Sequence, residues 1–152
     1  MFIPLKIVNP AADIPIIQLS VLSSEDPSTH FAMGKALAKL RDSNVAIVGS
    51  GFASLHNLGL MFSGGLNEST FRQRFEEWSK KVTDASTEKD LEKRQLKFDG
   101  WRKWPGGYEM HPPGGGEHFM PLIVCAGAGG EGEAEFYNDK FMGLDMVTYY
   151  WT

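Results

Sequence analysis

Cysteine is nearly absent from this chain, and no long apolar run occurs in it. Cys125 is the single cysteine among 152 residues, so neither an internal disulfide nor a zinc site built on several cysteines can form. It lies inside a short apolar run, where a buried packing role is usual for this residue. Pro4, Lys6 and Pro10 interrupt the apolar N-terminus, and no basic region precedes it. We therefore expect no signal peptide, no membrane span and a cytoplasmic protein.

An excess of positive charge is also missing. The formal net charge is −4, which gives no reason to expect nucleic acid or an anionic membrane surface as a partner. The hydrophobic share of 42% and the charged share of 22% are ordinary for a globular protein. A chain of this length can bury a core without disulfides, and no repeat or linker divides it. We predict one domain over residues 1–152.

The first third of the chain has the pattern of a strand, a helix and a second strand. Residues 14–22 are rich in β-branched apolar side chains, which predicts a buried strand. Asp26 and Pro27 are suited to the start of a helix, which we predict over residues 28–41. Residues 45–48 predict another buried strand. Two strands joined by a helix imply a parallel pair with a right-handed crossover, and hence an α/β fold.

The remainder predicts more helix, one irregular loop and a last pair of strands. A helical region opens near residue 67, and large apolar side chains recur in it at helical spacing. Residues 87–98 predict an exposed amphipathic helix. Five glycines and three prolines among residues 105–116 exclude regular structure there and favour a mobile lid. The prediction ends with an apolar helix over residues 118–128 and strands around 135–137 and 145–151.

Two histidines occupy the ends of predicted elements. His56 follows the second predicted strand and its glycine turn, and His118 begins the apolar helix. Both positions belong to the carboxyl edge of the expected sheet, where two imidazoles suggest a metal site or a proton-transfer site. Simpler roles stay open, namely a backbone-bonded loop residue for His56 and a helix cap for His118. The Gly49-Ser-Gly51 turn lacks the spacing of a nucleophile elbow, which argues against a hydrolase.

Several separated motifs occur in a recognisable order. Among them are Asp26-Pro-Ser-Thr-His30, Val45-Ala-Ile-Val-Gly-Ser-Gly51, His56-Asn-Leu58 and Glu117-His-Phe-Met-Pro121. Together they resemble the class III extradiol ring-cleaving dioxygenases, in particular the branch of 4,5-DOPA dioxygenase and the catalytic subunit of protocatechuate 4,5-dioxygenase. The resemblance covers nearly the whole chain.

The resemblance implies an α/β fold with a central, mostly parallel or mixed sheet flanked by helices. It also implies a non-haem Fe(II) or Zn(II) site at one sheet edge. In that site His118 is similar to the family's late metal ligand, and His56 to its active-site base. His111 begins a similar His-Pro motif, with a longer spacing to His118 than the family's compact pattern. Asn57 and Glu117 border these histidines, and we expect the Glu117 carboxylate to point away from a metal held by His118.

The reaction that the resemblance implies opens a catechol ring next to its diol. The metal would hold the catechol and dioxygen side by side, and His56 would take a hydroxyl proton. Family members carry further metal histidines and an Asp-His-Gly motif in an N-terminal half, and we expect Met1 to fall just after that motif. Oxygen chemistry on iron needs three protein ligands. We therefore expect weak or no activity from the chain alone, with a homo-oligomer or a complementary N-terminal-half chain completing the site.

Two non-catalytic hypotheses stand beside the dioxygenase acting on catechol or DOPA-type substrates. One is an interaction or regulatory domain derived from the enzyme, because half a fold exposes an apolar sheet edge that a partner can cover. The other is a module that binds a small molecule in the old aromatic pocket without oxygen chemistry. Binding of catechols that chelators do not affect would favour the last hypothesis.

Overall fold

Seven α-helices and a two-stranded sheet make up the regular structure of residues 2–152, the part of the chain that the computed structural model describes. Met1, the expected junction with the family's N-terminal half, lies outside it. The helices are α1 (Phe2–Val8), α2 (Pro27–Leu37), α3 (Leu58–Ser63), α4 (Ser69–Ser86), α5 (Leu91–Asp99), α6 (Gly107–Met110) and α7 (Met120–Ala128). Strands β1 (Glu135–Phe141) and β2 (Leu144–Tyr150) pair antiparallel. Four 3-10 turns lie at Ala38–Ser43, Gly65–Asn67, Trp101–Lys103 and Gly116–His118.

The helices begin where the sequence supplies caps. The Asp26 carboxylate accepts the Thr29 N–H at 2.8 Å, with a proline next in the chain. Asp90 likewise accepts the Lys93 N–H at 2.9 Å at the start of α5. Each carboxylate satisfies one backbone N–H that has no partner within the helix. The predicted helices over residues 28–41 and 87–98 are confirmed in outline.

An aromatic core lies between α4, α5, α7 and the turn that follows α5. The repeated apolar side chains of α4 all face this core, as predicted from their spacing. Phe119 lies at its centre, with ring centroids 4.7 Å from Trp101 and 5.1 Å from Trp78. The fully or almost fully buried side chains include Phe71, Phe75, Trp78, Val82, Phe98, Trp101, Phe119 and Ile123.

Helices α2 and α7 pack so closely that their backbones touch. A Cβ added to Gly34 would lie 2.0 Å from the Val124 carbonyl oxygen, and one added to Gly127 would lie 2.3 Å from the Phe31 carbonyl oxygen. Only glycine leaves room for this approach at either position. The contact fixes the axis of α7, the helix that follows His118.

The C-terminal hairpin agrees with the prediction of two strands near the end of the chain. Its two-residue turn is Met142-Gly143, with φ of 53° and 77°. Positive φ at both central positions is the geometry of a type I′ turn, which matches the twist of the flanking strands. All residues of β1 are exposed, whereas β2 lies partly against the core.

The two strands predicted at residues 14–22 and 45–48 are absent from the structure of residues 2–152, and so is a central parallel sheet. Both segments lie outside any helix or strand, and both are open to solvent, as Ile17 at 93% exposure and Val48 at 67% illustrate. A strand satisfies its N–H and C=O groups only beside another strand. The apolar pattern identified segments suited to a sheet, but no neighbouring strand pairs with them here.

The glycine-rich segment 105–116 has more regular structure than predicted. It contains α6, and Gly116 begins a 3-10 turn. Gly106 has φ of 77°, which permits the tight turn into α6. Met110 and His111 are completely buried, so the middle of the segment is part of the core. Its role as a lid stays a prediction. None of the helices in residues 2–152 is long and apolar enough to cross a membrane.

Candidate metal centre

His56 and His118 lie face to face. Their ring centroids are 3.5 Å apart and the rings are inclined by 22°. His56 lies two residues before α3, and its N–H donates to the Met110 carbonyl at 2.9 Å. His118 ends the 3-10 turn before α7, and its carbonyl accepts the Phe52 N–H at 3.0 Å. Backbone hydrogen bonds on both sides therefore hold together two residues that are distant in sequence.

Glu117 brings a carboxylate to the same place. One ligand atom from each of His56, Glu117 and His118 lies within 4.8 Å of the others. The expectation that Glu117 would point away from a metal at His118 was wrong. It assumed that both residues lie on an α-helix, whereas both belong to a 3-10 turn before α7. The separation between Glu117 Oε1 and His118 Nε2 is 3.9 Å.

The three side chains fit the chemistry of a metal site. Two imidazole nitrogens and a carboxylate oxygen are the donors of the facial triad that binds non-haem iron, and they also suit zinc. Donors at about 2.1 Å from one ion lie at most about 4.2 Å apart, so the ligand atoms would have to move closer together than 4.8 Å. The near-parallel imidazole rings would have to tilt toward each other. The half-exposed His118 and the exposed Glu117 have the room to do so.

The electrostatic setting keeps His56 neutral more readily than a histidine in water. Partial burial lowers the pKa of His56, and the neighbouring His118 imidazole lowers it further. The Glu117 carboxylate acts in the opposite direction by favouring the protonated form. A neutral imidazole is the form that binds a cation or accepts a proton.

A partly buried ion pair supports the turn that carries Glu117 and His118. Glu25 Oε1 accepts the Gly116 N–H at 2.8 Å, and its other oxygen accepts from the Arg102 guanidinium. Arg102 also donates to the His111 carbonyl. Burial raises the pKa of Glu25, but the hydrogen bonds from Arg102 and Gly116 outweigh it and hold the pKa below its ordinary value. We call Glu25 and Arg102 the clamp.

No sequence pattern pointed to the clamp. Glu25 and Arg102 are 77 positions apart, and neither belongs to a recognisable motif. Only the packing of the start of α2 against the turn after α5 brings them together. Gly116 is the third element of this arrangement, because a Cβ there would lie 2.8 Å from the Glu25 carboxylate.

His111 belongs to the aromatic core and is not one of the three donors of the candidate metal centre. It is completely buried, with ring centroids 5.5 Å from Trp78 and 5.3 Å from Phe119. Its Nε2 lies 2.9 Å from the Ala53 carbonyl oxygen, close to the His56 segment. Burial lowers the pKa of His111 to about 4. It therefore stays neutral and links the core to the segment that carries His56.

Asn57 and His30 use their side chains within the fold. The Asn57 carbonyl oxygen accepts the Leu60 N–H at 3.1 Å and caps α3, and its amide donates to the Glu109 carbonyl at 2.7 Å. His30 is completely buried, and its Nε2 accepts the Leu22 N–H at 3.1 Å. Asn57 thus fixes the position of its neighbour His56.

Within residues 2–152, helices pack on α7, and a histidine pair and a carboxylate at the start of α7 form a candidate mononuclear metal site. Comparison with known proteins identifies the family. The chain belongs to the family described as the catalytic LigB subunit of aromatic ring-opening dioxygenases, whose profile matches residues 1–148. The expected resemblance to the class III extradiol dioxygenases is confirmed.

Individual relatives carry related names. The chain is 48% identical to the dioxygenase tasH of Hapsidospora irregularis, over 99% of this chain and 48% of that protein. It is 33% identical to 4,5-DOPA dioxygenase extradiol of Beta vulgaris, over 93% of this chain and 50% of that protein. A protein of the same name from Escherichia coli is 33% identical over 78% of this chain and 42% of its own length. The chain spans about half the length of these curated relatives.

Proposed function

We propose that this chain supplies part of the active centre of an extradiol ring-opening dioxygenase for catechol-type substrates such as DOPA. The observation that carries the proposal is the meeting of His56, Glu117 and His118 within 4.8 Å. Membership of a ring-opening dioxygenase family supports the reaction class. The name 4,5-DOPA dioxygenase extradiol, borne by several relatives, motivates the substrate class.

In this proposal His118 is a metal ligand and His56 accepts a proton from the substrate. Bound Fe(II) would supply the oxygen chemistry by holding the diol and dioxygen next to each other. The imidazole of His56 lies parallel to that of His118, with 3.5 Å between ring centroids. A hydroxyl group of a diol bound beside His118 would therefore lie within reach of a His56 ring nitrogen. Glu117 offers a further donor to the metal.

The proposal includes a centre that this chain completes only in an assembly. If His56 acts as a base, His118 and Glu117 leave at least one protein ligand of a facial triad to be supplied from elsewhere. A second copy of the chain or a complementary N-terminal-half chain could supply it. We therefore propose weak metal binding and weak or no ring opening by the chain alone.

The experiment that tests this function is an anaerobic Fe(II) reconstitution followed by oxygen and a panel of catechols including DOPA and protocatechuate. It is run on the chain alone and on the chain co-expressed with the part of tasH that it does not match, which we call the tasH complement. A coloured ring-opened semialdehyde is expected from the co-expressed pair, and little or none from the chain alone. Retained iron is measured in parallel.

Matched variants separate the proposed roles. His118→Ala should remove both the bound iron and the product, whereas His56→Ala should retain most of the iron and lose the product. Phe62→Ala is the control, because Phe62 is 85% exposed and is not one of the proposed site residues. Product formation that is unchanged in both histidine variants would contradict the proposal. So would a complex of this chain with the tasH complement that retains iron but opens no catechol ring.

A non-catalytic interaction role is the second candidate, and a separate observation favours it. The apolar segments 14–22 and 45–48 are exposed to a degree that is unusual for β-branched residues. Assembly without iron retention or product in the reconstitution would favour this role over the dioxygenase.

A further inference from the structure

A cleft runs between two extended segments on the surface of α7. Residues 45–49 form one wall, and residues 147–151, which include the end of β2, form the other. Leu122, Cys125 and Ala128 of α7 line the cleft at intervals of three residues, as one face of a helix does. The volume of the cleft is about 860 Å³. We call it the α7 cleft.

The β2 wall presents backbone groups to the α7 cleft. The Val147 N–H donates to the Ser54 hydroxyl at 3.3 Å, so it points away from β1. Orientation alternates along an antiparallel strand, so the N–H and C=O of Tyr149 point the same way. Within the part of the chain that the structure describes, Tyr149 makes no backbone hydrogen bond on that side. The outer edge of β2 is thus an unpaired strand edge.

The opposite wall of the α7 cleft also has unpaired backbone groups. Residues 46–51 form no backbone-to-backbone hydrogen bond among the described residues. Ile47 and Val48 are β-branched, the residue type that strands favour. Gly49 lies directly on α7, since a Cβ there would be 2.6 Å from the Pro121 carbonyl oxygen. Two extended backbones therefore lie on one helix with a space between them.

We propose that the α7 cleft receives one β-strand, which pairs with β2 on one side and with residues 45–49 on the other. The occupant is a strand from the region of the relatives' fold that this chain does not match. Those relatives contain about as many residues again as the matched part, since the chain covers 48% and 50% of two of them. Insertion would convert the hairpin and residues 45–49 into one continuous sheet over α7.

Different residues line different parts of the α7 cleft, His118 in one and Arg41 in another, and both are consistent with an inserted strand. His118 lines one part of the cleft, so an inserted strand would pass close to the candidate metal centre. Arg41 also lines it, and its guanidinium donates to the Trp151 carbonyl at 3.2 Å and to the Gly129 carbonyl at 2.8 Å. The Trp151 carbonyl, just after β2, is therefore already hydrogen-bonded to Arg41, so strand pairing along this edge would end there. The importance of the strand for catalysis rests on the proposed function, but its binding does not.

The test co-expresses this chain with the tasH complement, which carries the affinity tag, and keeps chelator present throughout. We expect the two chains to purify together at equal stoichiometry. Hydrogen exchange should then slow at least tenfold at the Tyr149 amide and at amides of residues 46–49, relative to the chain alone. These are the groups that strand pairing would protect.

Two matched variants locate the contact. Val48→Asp places a charge in the wall of the α7 cleft and should reduce the yield of the complex at least tenfold. Leu96→Asp alters a side chain of similar exposure, 70% against 67%, on the surface of α5, and should leave the yield unchanged. Circular dichroism of each variant alone establishes that both are folded.

Three outcomes would overturn the strand proposal. These are no co-purification, equal yields of the two variants, or protection that appears in the chain alone as its concentration rises. The last would assign the α7 cleft to a second copy. Chelator makes formation of the complex independent of any metal. A complex that forms with chelator present, but opens no catechol ring after chelator is removed and Fe(II) is added, supports the strand and counts against the dioxygenase. Ring opening by a reconstituted pair whose Tyr149 amide stays unprotected does the reverse.

Discussion

The aromatic core and the two extended segments, residues 14–22 and 45–48, are built from similarly apolar residues but differ in burial. Ile123 on α7 is fully buried, whereas Ile17 in the first extended segment is 93% exposed. The difference follows from how each backbone meets its hydrogen-bonding needs. A helix pairs its own N–H and C=O groups and needs only a surface against which to pack. A strand needs a second strand, and here two segments lack one.

Replacing an isoleucine by alanine in each of the two regions should give the largest difference in the free energy of unfolding. Ile123→Ala should lower the free energy of unfolding by about 2 to 5 kcal/mol, because it leaves a cavity in a closely packed core. Ile17→Ala should change it by less than about 0.5 kcal/mol, because the side chain is already in water. Urea denaturation followed by tryptophan fluorescence measures both. Equal losses would mean that residues 14–22 pack against the protein in solution.

Acid should weaken the aromatic core through His111. Its pKa is lowered from 6.5 to about 4 in the folded chain, so between these values the unfolded chain binds a proton that the folded chain does not. Stability therefore falls as the pH drops through this window, by up to about 3 kcal/mol. The measurement is a series of urea denaturations from pH 7.5 to pH 4.

A variant isolates the contribution of His111 from that of the carboxylates. His111→Gln removes the titrating group and should flatten the pH dependence between pH 6.5 and 4, even though its stability at neutral pH is lower. Ordinary carboxylates titrate at the lower end of this window and below it, so the upper part of the window is the more specific for His111. An unchanged slope in His111→Gln would show that another group is responsible.

The sequence was sufficient for elements that depend on local information. Asp26 and Pro27 predicted the start of α2, and the spacing of Phe71, Phe75 and Trp78 predicted the buried face of α4. The two strands predicted around residues 135–137 and 145–151 are those of the hairpin. The strands at residues 14–22 and 45–48 could not be judged in the same way. Their existence depends on neighbours that an apolar pattern does not reveal.

The candidate metal centre was partly predictable for a similar reason. His56 and His118 stand next to glycine turns and helix starts, so their positions carried a local signal. The approach of the Glu117 carboxylate depends on a 3-10 turn instead of an α-helix, and sequence distinguishes these poorly at helix ends. The clamp of Glu25 and Arg102 depends entirely on tertiary packing, and no local pattern encodes it.

Weakening the clamp should have a smaller effect on stability than a core cavity, but it should reach the metal centre. Glu25→Gln loses the charge-assisted bond to Arg102 and should cost about 1 to 2 kcal/mol of stability. Because Glu25 also holds the Gly116 N–H, Zn²⁺ binding in a calorimetric titration should weaken by about tenfold.

Glu76→Gln provides the matched control for the clamp, because Glu76 is an exposed residue in the middle of α4. It should leave both stability and Zn²⁺ affinity almost unchanged. A Glu25→Gln variant that loses stability but binds Zn²⁺ as well as the unaltered chain would confine the clamp to a structural role, separate from the metal donors.

The helix caps allow the smallest and sharpest test of why the two regions differ. Asp26→Ala removes the acceptor of the Thr29 N–H and should destabilise the chain by about 1 kcal/mol, whereas Asp26→Asn should retain most of the stability because asparagine caps equally well. One side chain is thus enough to satisfy a helix start locally. No single substitution can do the same for the edge of β2, where a row of backbone groups needs a whole strand. If urea denaturation showed Asp26→Asn to be as destabilising as Asp26→Ala, the carboxylate charge and not the cap hydrogen bond would stabilise α2. The start of the helix would then depend on more than local hydrogen bonding, and the contrast with the unpaired edge of β2 would be weaker.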